Sequence, residues 1–141
     1  MEAPKRIALD TSVIVNHLRG KEESERILEL QRTSHLATTI INAFELYHGA
    51  YRSRRFEANL NATKAFLSSV DVLYLDDNSA ERSAEVLAKL QSAGKGIDPR
   101  DLFTGCISLE NGYALLTLNR RHFDAIPGLL VLGPSDLPRP K

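Results

Sequence analysis

The sequence predicts an α/β fold of three layers, in which a central, mostly parallel sheet of about five strands lies between two layers of helices. Three observations predict it. Short apolar segments rich in β-branched residues alternate along the chain with longer segments whose apolar residues recur at helical spacing. Cap signals separate the two kinds of segment, among them Asp98-Pro99 and several glycines. The chain has 141 residues, 43% hydrophobic and 26% charged, which is one domain's worth of globular composition.

Each element follows in order. Residues 6–9 ("RIAL") read as the first strand. Thr11 or Ser12 suits an N-cap for a short helix over residues 13–18, stopped by Gly20. Residues 22–31 give a second helix with Ile27, Leu28 and Leu30 as its apolar side, and "HLATT" (residues 35–39) a second strand. From residue 40 to about residue 51, Ile40, Phe44, Tyr47 and Tyr51 recur at helical spacing. A further helix spans about residues 56–67, with Phe56, Leu60, Thr63 and Leu67 on one face. "VDVLYL" (residues 70–75) is a strand. Asn78 and Glu81 have capping-box spacing and open a helix to about Ser92, ended by Gly94. Asp98 caps the next helix, with Pro99 at its first position, and that helix ends at Asn111-Gly112. "YALLT" (residues 113–117) is a strand, "NRRHF" a loop or single helical turn, and "LLVL" (residues 129–132) the last strand. The tail from Gly133 carries three prolines and reads as irregular, so residues 1–141 form a single domain.

Composition narrows the function. Eighteen basic and eighteen acidic residues cancel, so a nucleic-acid partner would need a local basic patch. Cys106 is the only cysteine; it forms no intrachain disulfide and builds no cysteine-based zinc cage. No apolar stretch approaches the ~20 residues of a membrane span. The first apolar run is too short for a signal peptide and is interrupted by Asp10, which makes a cytoplasmic protein the expectation.

In an alternating α/β chain, strand ends and helix starts share one edge of the sheet, where ligands gather. Asp10 closes the first strand and Asn119 follows the fourth. Asp101 stands in the first turn of its helix, and Glu45 in the second turn of the helix after "HLATT". Carboxylates packed together repel unless cations offset them, and hard oxygen donors favour Mg²⁺ or Mn²⁺ over Zn²⁺. Such ions assist phosphodiester hydrolysis. Each residue also has a plainer reading. Asp10 could cap a helix, Glu45 could be an ordinary solvated residue, Asp101 could complete a capping box with Asp98, and Asn119 could make a turn.

Together these residues resemble the PIN-domain ribonucleases, and among them the VapC-type toxins of prokaryotic toxin–antitoxin pairs. The resemblance rests on "LDTSVIVNHLRG", "TTIINAFELYHGA", "GKGIDPRDLFTGCISLENGYALLTLNRRHF" and "IPGLLVL". It aligns Asp10-Thr11 with a first-strand acid, Glu45 to Gly49 with a helical "EL-x-x-G", Asp101-Leu102 with a third acid, and Thr117 to Asn119 with "T-x-N/D". Where many members carry a fourth acid, this chain has Asn119, and "LFTGC" places Gly105 inside a helix.

The resemblance implies a Mg²⁺- or Mn²⁺-dependent endoribonuclease in which Asp10, Glu45 and Asp101 hold the metal. Asn119 would orient a ligand, and Thr11 or Thr117 would support the carboxylates by hydrogen bonds. It also implies RNA as substrate, a cognate antitoxin, and a homodimer that could assemble further. The local basic groups for RNA contact are Arg120, Arg121 and His122, with Arg52 in the "YRSRR" segment; Arg54 and Arg55 read as solvated surface, and Asp124 as peripheral. Two other phosphate chemistries are rejected. A haloacid-dehalogenase phosphatase needs a second aspartate where Ser12 stands, and a receiver domain needs paired N-terminal acids and a late lysine. A non-catalytic PIN-like scaffold for RNA or protein, and an RNA-processing nuclease without an antitoxin, remain as alternatives.

Overall fold

The computed structural model describes residues 2–20 and 23–138. Five strands, β1 (Arg6–Leu9), β2 (His35–Thr39), β3 (Asp71–Leu73), β4 (Ala114–Leu116) and β5 (Val131–Leu132), form one sheet in the order β3-β2-β1-β4-β5. Every pairing is parallel, so the expected "mostly parallel" sheet is entirely so. The helices α1 (Thr11–Leu18), α2 (Glu23–Thr33), α3 (Ile40–Arg52), α4 (Phe56–Ser68), α5 (Asp77–Ser92) and α6 (Pro99–Glu110) supply the crossovers that parallel strands require.

Strand periodicity divides the core in two. Ile7 and Leu9 of β1, with Ala114 and Leu116 of β4, face a cluster formed with Val13, Ile14, Ile27, Leu30, Ala43, Leu46, Phe66 and Leu67 of α1 to α4. The intervening Ala8 and Leu115 face the other side, against Val86 and Leu90 of α5 and Leu102 and Cys106 of α6. The sheet is therefore covered on both faces, as the three-layer reading requires.

Several expected boundaries shift, each for a physical reason. Helix α1 begins at Thr11, so neither Thr11 nor Ser12 is its N-cap; Asp10 occupies that position with extended backbone, and its side chain makes no capping bond. The expected start of the second helix at Glu22 lies outside the described residues, and the helix continues past Gln31 to Thr33. Leu28 is exposed there, because a residue one step from Ile27 points away from the face that Ile27 and Leu30 share.

On α3 the buried side is Asn42, Ala43, Leu46 and Ala50, so the apolar stripe read from the aromatics is rotated: Phe44 and Tyr51 are exposed. Phe56 likewise faces solvent at the start of α4, while Thr63, Phe66 and Leu67 are buried. Helix α5 is capped by Asp76 and not by Asn78: Asp76 Oδ1 accepts from Ser79 N at 2.9 Å, and Ser79 Oγ accepts from Asp76 N at 2.9 Å. A serine thus fills the position expected for an acid. Asp98 and Pro99 open α6 as expected, with Asp98 accepting from Arg100 N at 2.9 Å and Asp101 taking no part in the cap.

Strands β3, β4 and β5 are shorter than their apolar runs. Tyr74 and Leu75 are exposed beyond β3, and the last strand begins only at Val131. "RRH" makes one 3₁₀ turn (Arg120–His122). After Gly133 the chain makes another (Pro134–Asp136), and Leu137 then packs into the larger core.

Candidate functional site

From β1 the chain moves outward to β2 and β3, then returns through α5 and α6 to β4 on the opposite side of β1. The carboxyl ends of β1 and β4 are thus the switch point of the sheet, where a crevice opens between diverging connections. Leu9 pairs with Leu116, so the next residues, Asp10 and Thr117, lie side by side at the floor of that crevice. Both are buried, Asp10 at 7% exposure and Thr117 at 0%.

A buried carboxylate needs donors, and Asp10 has three from side chains. Its Oδ2 accepts from Thr117 Oγ1 at 2.6 Å and from Ser12 Oγ at 3.1 Å, and its Oδ1 accepts from Asn42 Nδ2 at 3.1 Å. The hydroxyls are themselves oriented. Thr117 Oγ1 accepts from Asn119 N at 3.0 Å, and Ser12 Oγ from Leu118 N at 3.1 Å, which directs each hydroxyl proton toward Asp10. Asn42 is fully buried and bridges the site: its Nδ2 also donates to Thr11 Oγ1 at 2.9 Å, and Thr11 Oγ1 donates to Glu45 Oε1 at 2.9 Å. Asn42 is in turn fixed by the α3 capping box, its Oδ1 accepting from Thr39 Oγ1 at 2.7 Å. One network of hydroxyls and an amide therefore ties the Asp10 carboxylate to that of Glu45.

Asp101 reaches the crevice from the first turn of α6. Burial pushes its carboxyl above the ordinary range; His122 opposes the shift, and the nearby Asp10, Asp98 and Glu45 add to it. Two basic side chains stand against these acids. His122 Nδ1 stands 3.3 Å from Asp101 Oδ2, and Arg100 Nη1 stands 3.6 Å from Glu45 Oε2. Arg100 also forks onto Asp98, with Nη2 at 3.2 Å from Oδ2. That guanidinium holds the Asp98 carboxyl below its ordinary value.

The other expected site residues are spread along the rim. Asn119 is exposed, just before the Arg120–His122 turn. Arg120 Nη1 pairs with Asp136 Oδ2 at 2.9 Å, whereas Arg121 is exposed with no ion pair among the described residues. Arg52 lies on α3 at a groove shared with Thr11 and Glu45. Asp124 is exposed and outside this network. Sequence reading missed Asn42, Ser12 and Arg100. Asn42 could have been found from the Thr39-x-x-Asn42 cap spacing, and Arg100 from its place beside Asp101.

The donor chemistry suits a hard cation. The Asp10 and Glu45 carboxylates help raise the proton affinity of Asp101, the neighbours are hydroxyls and amides, and the one cysteine is buried in the second core, away from them. Among the described residues, however, no three acidic, histidine or cysteine side chains form a ready-made cage.

Comparison with known proteins gives the chain's relatives. A family model described as PIN domain matches residues 7–129. The tRNA(fMet)-specific endonuclease VapC of Salmonella typhimurium is 29% identical over 123 residues, which cover 87% of this chain and 93% of that protein. Ribonuclease VapC19 of Mycobacterium tuberculosis is 28% identical over 123 residues, 86% of this chain and 94% of its own. Among solved structures, DNA-bound VapBC from Salmonella typhimurium superposes with a TM-score of 0.82 at 26% identity, over 92% of this chain and 98% of the other. VapBC2 from Rickettsia felis, bound to a promoter DNA fragment, gives 0.83 at 23% identity, over 90% and 97%.

Proposed function

The chain belongs to the PIN-domain family, and from that premise we propose that it is a Mg²⁺- or Mn²⁺-dependent endoribonuclease, the toxin of a type II toxin–antitoxin pair. The observation that carries the reading is Asp10, buried at the switch point under three side-chain donors, with Asp101 and Glu45 near enough to act on one another's charge. Asp10, Glu45 and Asp101 would hold the ion, which when bound supplies positive charge to a scissile phosphate and acidity to water. Thr117, Ser12 and Thr11 keep the carboxylates aimed by single, directional hydroxyl donors. Asn119, carried at the rim by its backbone bond to Thr117, orients an incoming group by hydrogen bonding and brings no charge. Arg121, His122 and Arg52 meet RNA phosphates, and Arg120 joins them when it leaves Asp136.

The partners follow from the relatives. Their names include ribonucleases and a tRNA(fMet)-specific endonuclease, and the matching structures include VapBC complexes, so RNA is the substrate and an antitoxin is the protein partner. A tRNA is the first substrate to try. A homodimer, open to further assembly, and a cytoplasmic setting complete the reading. Among the described residues no helix is long and apolar enough to cross a membrane.

Purified protein is expected to cut tRNA or total RNA with Mn²⁺ or Mg²⁺ and to stop in EDTA. Asp10→Asn is expected to abolish cleavage while the circular dichroism of the fold persists. Undiminished cutting in EDTA would overturn the metal mechanism. Growth arrest on expression, relieved by a small protein encoded next door, identifies the toxin; an active nuclease that harms no host argues for RNA processing instead.

A further inference from the structure

Glycine is a poor helix former, and Gly49 lies within α3 in an ordinary helical conformation. The usual reason for such a glycine is close packing, and it is absent here: a Cβ built at Gly49 would meet nothing within 4 Å. The space above it is a groove of about 400 Å³, lined by Thr11, Glu45, His48, Arg52, Ser53 and Arg100. The groove starts at the candidate site, because Thr11 and Glu45 belong to both. Its rims carry two guanidinium groups. Arg100 is exposed and shared between Asp98 at 3.2 Å and Glu45 at 3.6 Å, a contact long enough to be exchanged for a phosphate. Arg52, two helical turns beyond Glu45, stands about 10 Å farther along the axis of α3.

We propose that the groove floored by Gly49 is the path by which single-stranded RNA enters the site, with Arg100 and Arg52 taking its phosphates. The inference rests on the endoribonuclease reading above and adds Gly49, Arg100 and a defined path to the residues that meet the substrate. Gly49 leaves room for the strand. Arg100 trades its contact with Glu45 for a phosphate next to the site, and Arg52 holds the strand farther out. The charge on the rims is what selects a polyanion over an apolar peptide segment.

The test is binding, measured apart from cleavage. The probe is a fluorescein-labelled, mixed-sequence single-stranded oligoribonucleotide, followed by anisotropy in EDTA with the full-length protein. Gly49→Leu is expected to keep or raise the thermal midpoint. Arg100→Gln and Arg52→Gln are each expected to weaken binding at every sequence and to reduce the salt slope by about 1, and Gly49→Leu to weaken it on the order of tenfold. Wild-type affinity in Gly49→Leu, or no measurable RNA binding by the wild type, overturns the proposal. So does a Gly49→Leu variant that binds RNA normally but changes oligomeric state on light scattering, since the groove would then be an interface between copies. These outcomes are separate from the nuclease reading, which stands or falls on metal-dependent cleavage by the wild type and its loss in Asp10→Asn.

Discussion

At the scale of single residues the site stores instability. Asp101 is a carboxylate whose proton affinity rises on folding, chiefly because it is buried. Between its unfolded value of about 3.8 and its higher folded value, the native state binds more protons than the unfolded one, so stability falls as pH rises through that window. Above the window the full penalty remains. Asp101→Asn removes it, and in EDTA the variant is expected to melt higher than wild type at neutral pH. The gap should shrink as the pH is lowered below 3.8, where Asp101 is protonated in both states. A variant less stable than wild type at neutral pH would show that the contact with His122 outweighs burial. Asp10 illustrates how far sequence reading reaches. Its importance was legible because a charge between two apolar runs demands a partner. Of its partners, Thr117 was expected from the family resemblance, whereas Asn42 was not legible, because it comes to Asp10 through tertiary packing from another helix.

At the scale of elements, two glycines inside helices mean opposite things. In α6 a Cβ on Gly105 would stand 2.2 Å from Ile126 Cδ1 and 3.3 Å from Leu129 Cδ2. Gly105 therefore lets α6 approach the segment before β5 closely at the buried Ile126, which is why a residue of low helix propensity sits among Leu102, Cys106 and Ile107. Gly105→Ala should gain about 1 kcal/mol in helix propensity and lose about 1–3 kcal/mol to overpacking, for a net destabilisation by urea denaturation. Ile126→Val deletes the offending Cδ1, so the double variant should be more stable than the sum of the two single changes. Additive losses would place the fault elsewhere than this contact. Gly49, with open space around it, should instead gain about 0.5–1 kcal/mol when changed to alanine. Sequence alone shows both glycines as equal breaks in helical pattern, because neither propensity nor spacing reports what lies opposite. The aromatics of α3 misled for the same reason. Ile40, Phe44, Tyr47 and Tyr51 have helical spacing, yet the smaller Ala43 and Ala50 face the sheet, where α3 must lie close.

At the scale of the whole molecule, the alternation of segments was enough to place the layers and the edge where the candidate site lies. The strand order was not legible, since returning through α5 and α6 to the far side of β1 leaves no mark on local pattern. That return is what makes a shared cation consequential. Asp10 belongs to the end of β1, Glu45 to α3 and Asp101 to α6, so an ion held by all three joins elements from both layers of helices and the sheet between them. The unfolded chain does not bring these carboxylates together, and an ion bound there is therefore expected to add to folding stability by mass action. Once the ion exceeds its dissociation constant, each further tenfold increase adds about 1.4 kcal/mol. For a domain of this size that raises the melting temperature by about 5 °C. Mg²⁺ or Mn²⁺ titrated into EDTA-stripped protein should produce this rise, and the double variant Asp10→Asn, Asp101→Asn should show none. Equal shifts in both proteins would place the ion elsewhere. A shift that appears only with RNA present would show that the substrate's phosphates complete a coordination shell that the open arrangement of carboxylates begins.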